Sequence, residues 1–144
     1  MRAVVQRVTR ANVRVAGEEV AAIGPGLLVL LGVHRGDEDA QADRMAQRLL
    51  ALRVFADADR RMNEPLGAAR EVLCVPNFTV AGDTRKGARP SYAGAADPLD
   101  AQRLWERCCD ALGAARGVFG AHMEVGMTGD GPVTVTLDVA GSGV

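Results

Sequence analysis

Few side chains in this sequence have the types and spacing that side-chain catalysis usually requires. His34 and His122 are the only histidines, and each lies near a predicted strand end, where a surface histidine is the common case. Cys74 lies in an apolar stretch with nothing nearby in the sequence to activate its thiol, so it fits a core residue better than a nucleophile. The sequence contains no recognisable nucleophile motif and no phosphate-binding glycine loop. It therefore offers no obvious catalytic side chain.

Two further groups could do chemistry in principle. The acidic run Asp37, Glu38 and Asp39 could hold a hard cation, but helix capping and the helix dipole explain carboxylates at a helix start. Thr79 supplies a hydroxyl at the end of a predicted strand without an adjacent base, and a backbone hydrogen bond explains it equally well. The three cysteines show no metal-ligand spacing and cannot all pair. We expect no metal, no cofactor and no disulfide framework.

The stretch GDGPVTV, residues 129–135, is typical of a tight turn that leads into a last strand. Gly129 and Gly131 supply conformational freedom, and Pro132 fixes its own φ angle. Taken locally, this pattern predicts a hairpin turn and no function.

A long loop, AGDTRKGARPSYAGAAD, covers residues 81–97. Loops of this length in small domains are usually functional or mobile. Arg85, Lys86 and Arg89 could contact phosphates there, and a solvated basic loop is an equally good interpretation.

Two helices and several strands must position these groups. Asp37 or Asp39 is expected to cap a first helix, and the second begins at Asp97-Pro98 and ends at Gly113. The stripe of the first helix that should face the sheet comprises Ala42, Met45, Leu49 and Leu52. The predicted strands are AVVQRVTRANVRVAG, EVAAIG, GPGLLVLLGV, RVFAD, EVLCVPNFTV, HMEVGM and VTVTLDV, the last two on either side of the GDGP turn.

This order of elements predicts an α/β chain of the α+β type. We expect mixed, mostly antiparallel sheets with the two main helices packed on one side, in a single domain that covers residues 1–144. The sequence is 48% hydrophobic with a net charge of −1, which favours a globular fold and gives no overall field to attract a polyanion. No secretory leader or membrane-length apolar run is present, so we expect a cytoplasmic protein with no membrane or DNA partner.

Three stretches change this picture when they are taken together. MRAVVQRVTRANV, CVPNFTVAGDTRKGARPSY and GDGPVTVTLDV resemble, in order and spacing, the D-aminoacyl-tRNA deacylase family, and GLLVLLGV and RVFAD fit between them. The resemblance covers essentially the whole chain. It implies aminoacyl-tRNA editing in trans, in which the ester bond of mischarged D-aminoacyl-tRNA is hydrolysed.

The resemblance also assigns residues. It implies a homodimer with sites at the interface, where the Gly131-Pro132 peptide, in cis, enters the partner's pocket as a main-chain filter that rejects L-aminoacyl esters. Arg7, next to Gln6, would hold this segment in place. Glycine mischarged on alanine tRNA would pass the filter as a second substrate. The 2′-hydroxyl of the terminal adenosine, rather than a protein side chain, would help to activate water.

The candidate catalytic residues are Pro76, Asn77, Phe78 and Thr79, where the family usually has Ser-Gln-Phe-Thr. Proline removes one backbone N–H, and asparagine shortens the amide side chain. An animal branch of the superfamily carries this proline and has relaxed chirality. A relaxed deacylase acting on small L-aminoacyl-tRNA is therefore one alternative, and a non-catalytic RNA-binding dimer is another.

Overall fold

The computed structural model describes residues 1–141, so the last three positions of the predicted domain lie outside it. Within that range the chain forms eight strands, two α-helices and one short 3₁₀ helix. The elements in chain order are β1 (Arg2–Val15), β2 (Glu18–Ile23), β3 (Gly26–Gly32), α1 (Asp39–Ala51), β4 (Phe55–Ala56), β5 (Met62–Glu64), β6 (Glu71–Pro76), the 3₁₀ helix (Phe78–Ala81), α2 (Pro98–Leu112), β7 (Ala115–Arg116) and β8 (Glu124–Asp138).

The long strand β1 organises the main sheet. One edge of β1 pairs antiparallel with β3 along its first half and with β2 along its second half, while β8 pairs antiparallel along the other edge. The sheet continues from β3 to β6 and β7 through parallel pairings, and β4 and β5 form a separate antiparallel hairpin. The predicted mixed sheet is confirmed.

Apolar side chains pack on both faces of this sheet because neighbouring strand residues point to opposite sides. Leu27 and Val29 of β3 lie in a core with the two helices, which contribute the fully buried Met45 and Leu104. Leu28, between them in sequence, belongs to a second cluster on the opposite face. The predicted placement of the helices on one side of the sheet is confirmed.

The second helix begins and ends as the sequence predicts. The Asp97 carboxylate accepts hydrogen bonds from the N–H groups of Leu99 and Asp100, Pro98 follows it, and Gly113 ends the helix in the left-handed conformation. The length and apolar character needed to cross a bilayer are found in neither helix of residues 1–141.

The predicted cap of α1 is wrong. Glu38 is the N-cap, and its N–H donates to the Gln41 side chain at 2.7 Å. Asp37 is not available because its carboxylate accepts a hydrogen bond from the His34 N–H and pairs with the Met1 ammonium at 2.8 Å. Asp39 is already the first helical residue. Ala42, Met45 and Leu49 are buried as predicted, while Leu52 lies past the helix end and is half-buried.

Two predictions about strands also need correction, and the strand β7 was missed. The strand predicted to run to Val80 ends at Pro76, because Asn77 starts the 3₁₀ helix that includes Thr79. No sequence pattern indicated β7, which has only two residues. Most of HMEVGM and VTVTLDV belongs to one strand, β8 (Glu124–Asp138), rather than to two strands joined by a turn.

Candidate active site around Arg7 and a bulge in β8

β8 remains paired with β1 on both sides of the GDGP stretch. Val8 lies opposite Gly129, and Gln6 lies opposite Thr134, so the four residues 130–133 face the single residue Arg7. We call residues 130–133 the β8 bulge; Asp130, Gly131 and Pro132 in it are exposed. The predicted hairpin turn is wrong, because the fourteen-residue β1 continues to pair with the chain beyond it.

Arg7 holds one end of the β8 bulge. Its Nε donates to the main-chain oxygen of Asp130 at 3.0 Å and lies 3.2 Å from the Asp130 carboxylate. Its Nη1 donates to the main-chain oxygen of Val54 at 2.6 Å. The Arg7 side chain is only 16% exposed, so these charge-assisted bonds are partly shielded from water. Arg7 therefore connects the bulge to the segment between α1 and β4.

The other end of the β8 bulge is held by a second pair. The Thr134 hydroxyl donates to Gln6 Oε1 at 2.9 Å. Gln6 and Arg7, which are adjacent on β1, thus fix the residues on both sides of Gly131 and Pro132. Sequence reasoning missed Asp130 and Thr134 as partners, because only the pairing of β1 with β8 brings them to Arg7 and Gln6. It also missed Val54, whose contribution is a main-chain oxygen.

Position 131 accepts only glycine without rearrangement. Gly131 has φ of +141°, a conformation that side-chain-bearing residues rarely adopt. A Cβ there would lie 2.7 Å from the Val133 nitrogen and 2.9 Å from Val133 Cγ2. The Gly131–Pro132 peptide bond is cis, the geometry that the resemblance implied.

The run Pro76–Thr79 forms a small hydrogen-bonded unit of its own. The Asn77 Oδ1 accepts the Thr79 N–H at 3.2 Å and the Thr79 hydroxyl at 2.5 Å. The partner of that hydroxyl is therefore an amide oxygen, which does not activate it as a base would. Within residues 1–141, no hydrogen bond connects this run to the β8 bulge of the same chain.

The side of β6 on which Pro76 lacks a donor is shown by its ring. The Cδ atom, which takes the place of the amide hydrogen, lies 3.2 Å from the point where a Cβ of Gly117 would stand. The absent N–H is therefore on the side of β6 near Gly117, next to the end of the pairing of β6 with β7. Proline, where the resemblance leads us to expect serine, removes a donor on that side of the strand.

The cations of the long loop differ in their surroundings. Arg85 pairs with the Asp83 carboxylate at 2.7 Å, and these hydrogen bonds hold the pKa of Asp83 down at about 2. Lys86 and Arg89 are exposed and form no ion pair within the part of the chain that the structure describes. Lys86 and Arg89 are therefore the better-placed candidates for contact with an external phosphate.

The other residues considered for chemistry, Cys74, His34 and His122, lie at structural or surface positions. The Cys74 side chain is completely buried, and its hydrogen bond with the Cys109 thiol, together with burial, raises the pKa of Cys74 well above its ordinary value. Burial lowers the pKa of His34, with a smaller contribution in the same direction from the nearby α-ammonium. His122 is exposed just before β8. Among residues 1–141, no three His, Cys, Asp or Glu side chains come together as metal ligands would.

Known sequences resemble this chain along nearly its full length. The family model described as D-Tyr-tRNA(Tyr) deacylase matches residues 4–138. A D-aminoacyl-tRNA deacylase of Myxococcus xanthus is 47% identical over 98% of this chain and 96% of its own length. One of Nitrosococcus oceani is 49% identical over 96% of this chain and 94% of its own length.

Two solved structures share the fold. A protein titled c-Myc DNA Unwinding Element Binding Protein superimposes with a TM-score of 0.92 at 36% identity, over 98% of this chain and all of its own. A probable eukaryotic D-amino acid tRNA deacylase gives a TM-score of 0.79 at 16% identity, over 96% of this chain and 98% of its own, and this second likeness concerns the fold alone.

Proposed function

The chain belongs to the D-Tyr-tRNA(Tyr) deacylase family, and from that premise we propose that it hydrolyses the ester bond of D-aminoacyl-tRNA to free tRNA and a D-amino acid. The observation that carries the proposal is the β8 bulge, an exposed main-chain segment held by the Arg7 guanidinium. The bulge offers a substrate only backbone and a proline ring at Gly131 and Pro132. Such a surface can select by shape without any reactive side chain.

In this proposal the bulge acts as a chiral filter. An L side chain of the bound ester would strike the exposed main chain at Gly131 and Pro132, whereas a D side chain would point away. Rejection of the wrong isomer then comes from a clash rather than from an added attraction. A glycyl ester has no side chain to clash, so glycyl-tRNA(Ala) is a second proposed substrate.

The chemistry proposed is attack of a water molecule on the ester carbonyl. The water oxygen bonds to the carbonyl carbon, and the carbonyl oxygen carries the negative charge in the tetrahedral intermediate. The bond from the carbonyl carbon to the ribose oxygen then breaks, and the ribose oxygen takes up the proton that the water has lost. The 2′-hydroxyl of the terminal adenosine assists the water, and the backbone N–H of Phe78 stabilises the oxyanion. This scheme is supported by the Thr79 hydroxyl, whose partner is an amide oxygen and not a base.

The working unit proposed is a homodimer in the cytoplasm. The β8 bulge and the Pro76–Thr79 run share no hydrogen bond within residues 1–141 of one chain, and in this proposal a second copy brings the two segments together in one site. Each bulge would then enter the partner's pocket. The exposed Lys86 and Arg89, with Arg85 beside them, would contact phosphates near the acceptor end.

A deacylase with relaxed chirality is the second candidate, favoured by Pro76. The donor that Pro76 lacks would lie on the side of β6 near Gly117, so its loss affects the substrate only if the substrate reaches that side of β6. Small L-aminoacyl esters would then be hydrolysed as well.

Purified protein incubated with D-tyrosyl-tRNA, L-tyrosyl-tRNA and glycyl-tRNA(Ala) tests these proposals. Rapid loss of the D and glycyl esters with the L ester intact supports the filter, and hydrolysis of L-alanyl-tRNA supports relaxed chirality. Equal inertness toward all of them, with retained tRNA binding, would leave a non-catalytic RNA-binding dimer. Duplex DNA as a competitor checks the preference for RNA, which the net charge of −1 does not decide.

A further inference from the structure

Two aromatic rings lie exposed beside the Pro76–Thr79 run. Phe78 is 59% exposed and Tyr92 is 39% exposed, in a chain that has only five aromatic residues. Trp105 and Phe55, by contrast, are buried. Leaving two large rings in water forgoes the stabilisation that their burial would give, which is the usual mark of a binding surface when the rings are adjacent.

The two rings form a defined pair. Their centroids are 5.1 Å apart, and their planes meet at 76°, so one ring presents its edge to the other and a ring face remains uncovered. We call this pair the aromatic platform. It joins the 3₁₀ helix that carries Thr79 to the long loop that carries Lys86 and Arg89.

Gly82 makes room for the platform. A Cβ at this position would lie 3.0 Å from Tyr92 Cε1 and 2.9 Å from the Thr79 main-chain oxygen. The φ angle of Gly82 is −62°, which any residue can adopt, so space and not backbone conformation explains the glycine. The loop is also tied down by reciprocal 2.8 Å hydrogen bonds between the backbones of Asp83 and Ser91. The Tyr92 ring thus occupies a built position.

We propose that the aromatic platform stacks against an unpaired nucleobase at the 3′ end of the RNA substrate. Exposed aromatic rings next to cations are how proteins bind single-stranded nucleic acid, because every base has a stackable face. Lys86 and Arg89 supply the positive charge on the same loop, and the platform adjoins the run that we place at the ester. The inference rests on the proposed function, since it assumes an RNA substrate.

Binding of uncharged RNA tests the platform without requiring hydrolysis. The probes are a tRNA transcript and a short single-stranded RNA ending in CCA, each also made with an abasic 3′-terminal or penultimate nucleotide. Replacing Tyr92 by alanine is expected to weaken binding of the intact RNAs by about 5-fold to 100-fold, while Tyr92→Phe, which keeps the ring, binds like the wild type. Gly82→Ala, which displaces the ring without removing it, should give an intermediate loss.

The decisive result is whether the loss of the Tyr92 ring and the loss of an RNA base affect RNA binding independently or depend on each other. Removing one of the two bases should weaken the wild type but leave the Tyr92→Ala variant little changed, since the contact is already lost. Leu99→Ala, at an 83% exposed apolar side chain on α2, serves as the control and should bind normally. The proposal would be overturned if Tyr92→Ala and the removal of either base weakened RNA binding independently of each other. It would also be overturned if Tyr92→Ala bound RNA as tightly as the wild type.

Two other outcomes separate the competing explanations. If Tyr92→Ala shifts the protein toward monomer in sedimentation without any coupling to a base, the platform is a contact between copies and the proposal is wrong. If wild-type protein shows the coupling but hydrolyses no aminoacyl ester, the platform stands and the proposed deacylation fails. If the protein hydrolyses aminoacyl esters but shows no coupling between Tyr92 and an RNA base, the proposed deacylation stands and the aromatic platform proposal fails.

Discussion

The Arg7 Nε donates to the main-chain oxygen of Asp130 at 3.0 Å and lies 3.2 Å from the carboxylate of the same residue. One side chain thus fixes both the backbone and the charge at the start of the β8 bulge. Because Arg7 also donates to the Val54 oxygen, the bulge is anchored to two parts of the chain at once. Three of the following predictions test that anchor and the loop cations, one tests the core, and one tests the pH dependence that His34 causes.

Replacing Arg7 by alanine should lower kcat/KM for D-tyrosyl-tRNA by about 100-fold, because small displacements of a positioning element cost roughly this much. The loss of hydrogen bonds to two carbonyls should also reduce the free energy of unfolding by about 1–3 kcal/mol. Arg10→Ala is the matched control, since Arg10 lies on the same strand but its side chain bonds, among residues 1–141, only to the Thr128 hydroxyl. Similar activity of both variants would show that the anchor does not matter.

Replacing Gly131 by alanine should reduce D-ester hydrolysis, or its selectivity over the L-ester, by about 100-fold or more. The new Cβ would lie 2.7 Å from the Val133 nitrogen, so the bulge must change shape. Gly113→Ala, at a left-handed helix end with open space around it, controls for backbone strain of about 1 kcal/mol. Wild-type activity and selectivity in Gly131→Ala would refute the filter.

Neutralising Lys86 and Arg89 with glutamine should weaken tRNA binding and flatten its salt dependence. The slope of log K against log salt concentration should fall by about 1 for each cation that contacts a phosphate. Arg85→Gln should have a smaller effect because Asp83 already neutralises it. Arg44→Gln, at an exposed position of α1, is the control. An equal effect from Arg44 would indicate only the loss of overall charge.

Replacing Leu104 by alanine should lower the free energy of unfolding by about 2–5 kcal/mol, because its side chain is fully buried between α2 and the sheet. Leu99→Ala, on the same helix, should change it by less than about 0.5 kcal/mol. Urea unfolding measures both. Equal values would contradict the burial pattern of α2.

The stability of the protein should fall as the pH drops below 6.5, with a contribution from His34. Burial lowers the pKa of His34 in the folded state from 6.5, so the unfolded chain binds more protons between the two pKa values. Stability from this group is therefore complete above the unfolded pKa and is lost as the pH falls through the folded one. In His34→Gln, the difference between unfolding free energies at pH 7.5 and 5.5 should shrink. An unchanged difference would remove His34 as the cause.

Local patterns predicted most of the fold. The Asp97-Pro98 start and Gly113 end of α2 were correct because capping depends on a few neighbouring residues. The cap of α1 was not, since Asp37 is taken by the Met1 ammonium, a partner 36 residues away. A partner distant in sequence also explains the error at Gly-Asp-Gly-Pro, whose composition is typical of a turn. This stretch forms a bulge rather than a turn because β1 continues to pair with β8 on both sides of it.

The sequence predicted which residues form the candidate site, but it did not predict the contacts that these residues make. Arg7 and Gln6 followed from the resemblance, and in the structure they bond to Asp130 and Thr134. The Val54 carbonyl left no sequence signal because any residue can supply a main-chain oxygen. The aromatic platform likewise depends on the chain folding back at Gly82, which no local pattern indicates.

The β8 bulge has one further consequence, for engineering. Its flanking residues are held in register with Gln6 and Val8 on the neighbouring strand, so the segment 130–133 behaves as an interchangeable cassette whose ends are fixed. A change in this segment that keeps those flanking pairs moves no other side chain of β8 to the opposite face of the sheet. A library confined to Pro132 and Val133, with Asp130 and Gly131 kept, would vary what the protein admits and retain the contacts of Arg7 with Asp130.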